Sequence, residues 1–279
     1  MIIDCRVRPP MKSYVNMNLY RECVTQSWAD NFCMKIPPSV VKRDPKLMFE
    51  EMDEAGIDMA VTTGRQSRIH GSIPNSEIVE IVKQYPRMIG IAGLDANWPT
   101  SRAVDEIDEF VINGPLKGVG LEPGAAEFPM HTDDPRLYPV YQYCSDHDLP
   151  VFIMAGGGQG PDLTYSMPDH IGRVCRDFPK LTVVNTHGGY PWVPQILFQA
   201  MMCPNMYIAP DMYTYNMPGA EQYAVASHGI LRERFIFGTG YPFIPFKPAV
   251  ELFKKMGFAE EYMDNFLYKN IARVLKLDV

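Results

Sequence analysis

Residues 75–124 read NSEIVEIVKQYPRMIGIAGLDANWPTSRAVDEIDEFVINGPLKGVGLEPG, and their rhythm decides the fold. From Asn75 to Gln84 apolar residues recur at three and four with a polar face completing the turn, so the spacing predicts an amphipathic helix. The run beginning at Met88 is apolar and ends on Asp95. Thr100 to Ile112 repeats the helical spacing, and the next run, from Leu116, ends on Glu122 in Leu-Glu-Pro-Gly. Helix, strand, helix, strand is the pattern of a parallel sheet with crossover helices.

Read outward, the pattern persists along the chain. Candidate strands begin at Ile2, Ile57, Met88, Leu116, Pro150, Leu181, Asn205 and Arg234, with a further helix predicted over Asp134 to His147. Eight such units in 279 residues point to a closed (β/α)₈ TIM barrel, typically of roughly 250 residues. An open, doubly wound sheet is the alternative, but it would carry a Gly-rich phosphate turn after its first strand, where this chain has Arg6 to Pro10. Pro9 to Asp44 is a long insertion carrying Trp28, Phe32 and Pro37-Pro38, and a connection of that length is expected to be a functional lid. Phe258 to Leu277 is expected to extend the last helix. No linker or repeat interrupts the chain, so residues 1–279 are expected to form one domain.

Composition narrows the function classes. Hydrophobic residues make up 46% and charged residues 21%, with 15 Tyr, 14 Phe and 3 Trp, which excludes disorder and fibrous repeats. The 26 basic and 33 acidic side chains leave a formal charge of −7, and no Lys/Arg run supplies a phosphate-binding stripe, so nucleic acid is not an expected partner. Apolar runs such as Val151 to Ala155 fall far short of the roughly 18 residues that cross a bilayer, and Asp4 and Arg6 interrupt the N-terminus. The six cysteines are scattered without a C-x-x-C pair, as in a cytoplasmic protein with reduced thiols.

Active sites of such barrels lie at the carboxyl ends of the strands, so the residues ending each run are the candidates. In chain order they are Arg6 and Arg8, Arg65, Asp95, Glu122, Met154, His187, Asp211 and Thr239-Gly240-Tyr241. Arg6 and Arg8, two apart, share one strand face and could fork a carboxylate, or could pair with Glu122, Asp95 or Asp211 as a salt-bridge layer. His187 is the candidate general acid/base, with Glu122 and Asp211 orienting it or moving protons. Tyr165, Trp192, Tyr213 and Tyr241 are candidate pocket walls beside Arg65, His131 is a weak outsider, and the Gly156 to Gly160 turn could form an anion nest. A metal held by Glu122, His187 and Asp211 is disfavoured by the neighbouring arginines.

Ile2-Ile3-Asp4, Asp169-His170-Ile171, Asp177-Phe178-Pro179, His187-Gly188-Gly189-Tyr190-Pro191-Trp192, Arg234-Phe235-Ile236-Phe237-Gly238-Thr239 with Tyr241-Pro242, and Asn270-Ile271-Ala272-Arg273 resemble the amidohydrolase-related (type 2) family. The resemblance implies a (β/α)₈ barrel and an enzyme akin to decarboxylases, hydratases and lactone hydrolases of small aromatic-derived acids. It also implies a divalent metal held by an Asp-x-His-x-His, a His ending strand five and an Asp after Gly-Thr. Those positions read Asp4-Cys5-Arg6-Val7-Arg8, Met154 and Gly240 here, and guanidiniums have no lone pair for a metal. The expectation is therefore a hydrolase of lactonase type, without metal or other cofactor, acting on a small anionic substrate. A lyase, decarboxylase or isomerase on a small carboxylic acid, and a non-catalytic ligand-binding barrel, are the alternatives; homo-oligomerisation is left open.

Overall fold

The structure is a computed structural model and describes residues 1–67 and 70–279. Nine strands are found among them: β1 (Ile3–Asp4), β2 (Met59–Thr63), β3 (Arg65–Ser67), β4 (Gly71–Ile73), β5 (Met88–Leu94), β6 (Val119–Leu121), β7 (Val151–Met154), β8 (Val183–Thr186) and β9 (Met206–Ala209). Seven of these form one parallel sheet in the order β1-β2-β5-β6-β7-β8-β9. The segment from Arg234 closes the ring. Ile208 N–H donates to Arg234 O at 2.9 Å, Ile236 N–H to Ile208 O at 2.9 Å, and Cys5 N–H to Phe237 O at 3.1 Å. The fold is thus a TIM barrel whose eighth staves join by isolated bonds rather than a continuous ladder.

Helices cover the outside, including Asn75–Gln84, Thr100–Ile107, Tyr138–Asp146, Pro168–Asp177 and Val193–Met202. The helical stretch predicted over Thr100 to Ile112 continues as a wider π-turn over Asp108–Ile112. Ile3, Val61, Ile91, Phe152, Val184 and Ile236 pack with the last helix, Asn270–Leu275, in a single apolar cluster, each such side chain contributing roughly 1.5–3 kcal/mol. The chain before that helix leads into it without a break, through Met263 and Asp264 and a π-turn over Asn265–Lys269, where Phe266 O accepts from Phe237 N–H; a 3₁₀ turn, Glu260–Tyr262, precedes them. Among the described residues no helix is long and apolar enough to cross a membrane.

The insertion is a fixed wall rather than a free flap. Tyr14 Oη lies 2.7 Å from Thr62 Oγ1 and donates to Thr63 O, Tyr20 Oη donates to Arg8 O at 2.7 Å, and Ser39 Oγ lies 2.6 Å from Tyr241 Oη. Each bond ties the insertion to a strand end, so Asn18, Leu19, Val24 and Trp28 are held over the mouth of the barrel.

Candidate active site

β1 and the chain beyond it deliver two arginines to different fates. Arg6 is wedged behind the cavity, with Nη2 3.4 Å from Glu122 Oε1 and 3.2 Å from Met154 Sδ, and Nε 4.0 Å from Asp211 Oδ2. Arg8 lines a cavity of about 180 Å³ together with Arg65, His70, Met154, His187 and Tyr213. It forms no ion pair among the described residues, and its Nη1 is buried without a hydrogen-bond partner. Burial, together with the like charges of Arg6 and Arg65, lowers its pKa from 12.5 to about 9, so it remains a cation at neutral pH.

Arg65 reaches the cavity because the chain can pass very close to β5 at Gly64. A Cβ on Gly64 would lie 2.3 Å from Asn75 Oδ1, and one on Gly93 would lie 2.0 Å from Gly64 O. Asn75 stitches the approach, accepting from Gly93 N–H at 2.8 Å. Arg65 Nε then donates to Glu122 Oε2 at 2.6 Å. Burial alone would raise the Glu122 carboxyl, but Arg65 and Arg6 outweigh it and hold it down at about 2. Glu122 is therefore an ionised strut between two guanidiniums at neutral pH and does not line that cavity. Three guanidiniums face two carboxylates, Glu122 and Asp211, leaving one positive charge unmatched, that of Arg8.

His187 and Asp211 follow β8 and β9, and both sit at positive φ, 65° and 45°, a strained conformation for side chains of this size. The strain brings them together. His187 Nδ1 lies 2.8 Å from Asp211 Oδ1, whose oxygens also accept from the backbone N–H groups of Met212 and His187. The carboxylate fixes the proton on Nδ1 and leaves Nε2 as the ring nitrogen without a protein partner among the described residues. Burial lowers the His187 pKa, and the attraction of Asp211 does not restore it, so the imidazole is neutral at pH 7.

The other expected wall residues divide. Tyr213 lines the cavity, its ring edge-on to His187 at 5.2 Å. Tyr241 does not reach it: the side chain is fully buried, bonded to Ser39 and stacked on Phe246 at 4.4 Å. Tyr165 and His131 stack on each other at 4.5 Å outside the cavity lining, and Trp192 is half-buried outside it too. Asp95 turns back to cap its own loop, accepting from Asn97 N–H. The glycine-rich turn is not a vacant anion nest, because Gly157 N–H donates to Tyr190 O and Gln159 N–H to Gly157 O. His70, Asn18, Gln159 and Phe243 line the cavity although no strand-end argument singles them out. His70 directly precedes β4, and the three-residue strands β3 (Arg-Gln-Ser) and β4 (Gly-Ser-Ile) are too short and too polar to carry a periodic hydrophobic signal.

The residues present do not fit the divalent metal that the family pattern implies. Arg6 brings its guanidinium between Met154 and Glu122, and Nδ1 of His187 is spent on Asp211. Among the described residues no group of three His, Cys, Asp or Glu side chains is placed to hold an ion.

The comparisons with known proteins agree with the barrel. An uncharacterized TIM-barrel protein from Bordetella bronchiseptica is 39% identical, with a TM-score of 0.95 over 99% of this chain and 98% of that one. 5-Carboxyvanillate decarboxylase from Sphingomonas paucimobilis (17% identity, TM-score 0.68, 99% of each chain) shares the fold. So does a probable 2-pyrone-4,6-dicarboxylic acid hydrolase from Acinetobacter baumannii (14%, 0.63, 99% of each). No curated protein matches the sequence. The family model described as amidohydrolase matches residues 16–277, and the chain belongs to that family.

Proposed function

We propose that the protein is a hydrolase that opens a small carboxylate-bearing lactone or ester without recruiting a metal ion. One observation carries the reading: the Asp211-oriented imidazole of His187 and the unpaired guanidinium of Arg8 border the same small cavity. At about 180 Å³ the cavity is below the roughly 300–1,000 Å³ of drug-sized sites, so its ligand is small. An unmatched buried cation favours an anionic ligand, and Arg8 would take the substrate carboxylate. His187 Nε2 would remove a proton from water as the water oxygen adds to the carbonyl carbon. The carbonyl pair moves onto oxygen, the ring C–O bond then breaks, and the proton returns from His187 to the departing oxygen.

A neutral imidazole suits this base role better than protonation of carbon, which decarboxylation of the same acids would require. The substrate enters as an anion, and no cofactor is called upon. Six free thiols, four of them buried, support a cytoplasmic location. The test is pH-stat titration of carboxylate-bearing lactones with chelator-treated protein. Acid release that disappears in His187→Asn supports the reading. Release of carbon dioxide, exchange of a carbon-bound proton without hydrolysis, or binding without turnover would each replace it.

A further inference from the structure

The cavity holds a second imidazole whose hydrogen-bonding state is opposite to that of His187. His70 Nδ1 lies 3.2 Å from Asn18 Nδ2. An amide nitrogen only donates, so Nδ1 is the acceptor and the ring proton of the neutral imidazole sits on Nε2. Nε2 has no protein partner among the described residues, while His70 lines the same cavity as Arg8 and His187. The backbone that carries the ring is tied down as well: the main-chain N–H of His70 donates to Ser67 Oγ at 3.1 Å, and Ser67 Oγ–H to Ala125 O at 3.0 Å. Burial, reinforced by Arg65, lowers the His70 pKa and keeps the ring neutral.

One histidine therefore offers the cavity a lone pair and the other an N–H. Hydrolysis needs that pairing, because addition of water must lose a proton at one point and gather negative charge at another. We propose that His70 is a neutral hydrogen-bond donor of the site, its Nε2–H meeting the carbonyl oxygen that becomes the oxyanion. The role rests on the hydrolytic reading. His70 keeps its proton throughout: water's proton goes to His187, the carbonyl pair goes to oxygen, and Arg8 remains free for the carboxylate.

Three measurements test it. In His70→Phe the donor is gone and kcat for lactone opening should fall about 10²–10³-fold with KM little changed, while His70→Gln, which keeps an N–H, should recover part of the loss. A cyclic phosphonate, tetrahedral like the intermediate, should lose affinity in His70→Phe where a plain carboxylate does not. An unchanged kcat, or equal losses for phosphonate and carboxylate, would make His70 a wall and overturn the proposal. Independently of turnover, ¹⁵N shifts of His70 should report the Nε2–H tautomer and should switch to Nδ1–H in Asn18→Asp. A wild-type Nδ1–H tautomer would overturn the proposal while leaving His187 and Arg8 in place. A wild-type protein that opens no lactone or ester would remove the hydrolytic reading, and this role with it.

Discussion

Replacing Arg8 with methionine should make the protein more stable and unable to bind carboxylates. The guanidinium is buried, and its pKa is lowered from 12.5 to about 9, first by burial and then by Arg6 and Arg65. That displacement corresponds to about 5 kcal/mol of unfavourable interaction in the charged form, an upper bound. Replacing buried ions by apolar side chains of similar length is commonly stabilising by about 1–4 kcal/mol, and that is the gain expected here. The penalty is present in full below about pH 9 and is relieved as pH rises beyond it, since the folded state then binds fewer protons than the unfolded one. Urea unfolding at pH 7 reads the gain. A thermal-shift series with small carboxylates reads the loss: ligand at a hundred times Kd stabilises the wild type by about 2.7 kcal/mol, and should not shift Arg8→Met. A variant that is destabilised at pH 7, or that still responds to carboxylates, would refute the view of Arg8 as an uncompensated cation kept for a ligand.

Other residues respond in different directions. Glu122→Gln should cost about 3 kcal/mol at pH 7, because a carboxyl moved from 4.5 to about 2 gains that much from its arginines. That contribution is present above pH 4.5 and lost as pH falls toward 2, so the wild-type and variant urea midpoints should converge in acid; a constant gap would contradict the pairing. The acid limb of kcat/KM should fall below pH 6.5, since burial holds His187 under its ordinary value and protonation removes the base; a limb above 6.5 would point to another group. Asp211→Asn should lower kcat about 10²-fold or more by freeing the imidazole tautomer, with KM less affected; unchanged kcat would reduce Asp211 to a structural role.

The barrel was legible because its signals are local. The helix predicted over Asn75 to Gln84 is found with the same bounds, and seven of the eight expected strands start at or within a few residues of the expected positions, the segment from Arg234 joining the barrel by isolated bonds instead. Strand-end logic also reached Arg8, Arg65, His187, Asp211 and Tyr213, since alternation and Gly turns are written in sequence. What it could not separate is Arg6 from Arg8. Both have the same spacing and chemistry, and only the tertiary contacts of Arg6 with Glu122, Met154 and Asp211 make one a strut and leave the other free. Tyr241 sits at a strand end as expected, yet the insertion supplies Ser39 and draws its hydroxyl away from the cavity. His70 escaped notice because a turn residue acquires a role only when Asn18, far off in the insertion, folds over to fix its tautomer.

The most direct measurement of the central claim is a crystal structure of the protein soaked with a small hydroxycarboxylic acid, the product class of lactone opening. The account predicts the carboxylate on Arg8 Nη1, which is otherwise without a partner, with the hydroxyl near His187 Nε2. A carboxylate bound elsewhere, with Arg8 turned onto a protein carboxylate, would contradict it.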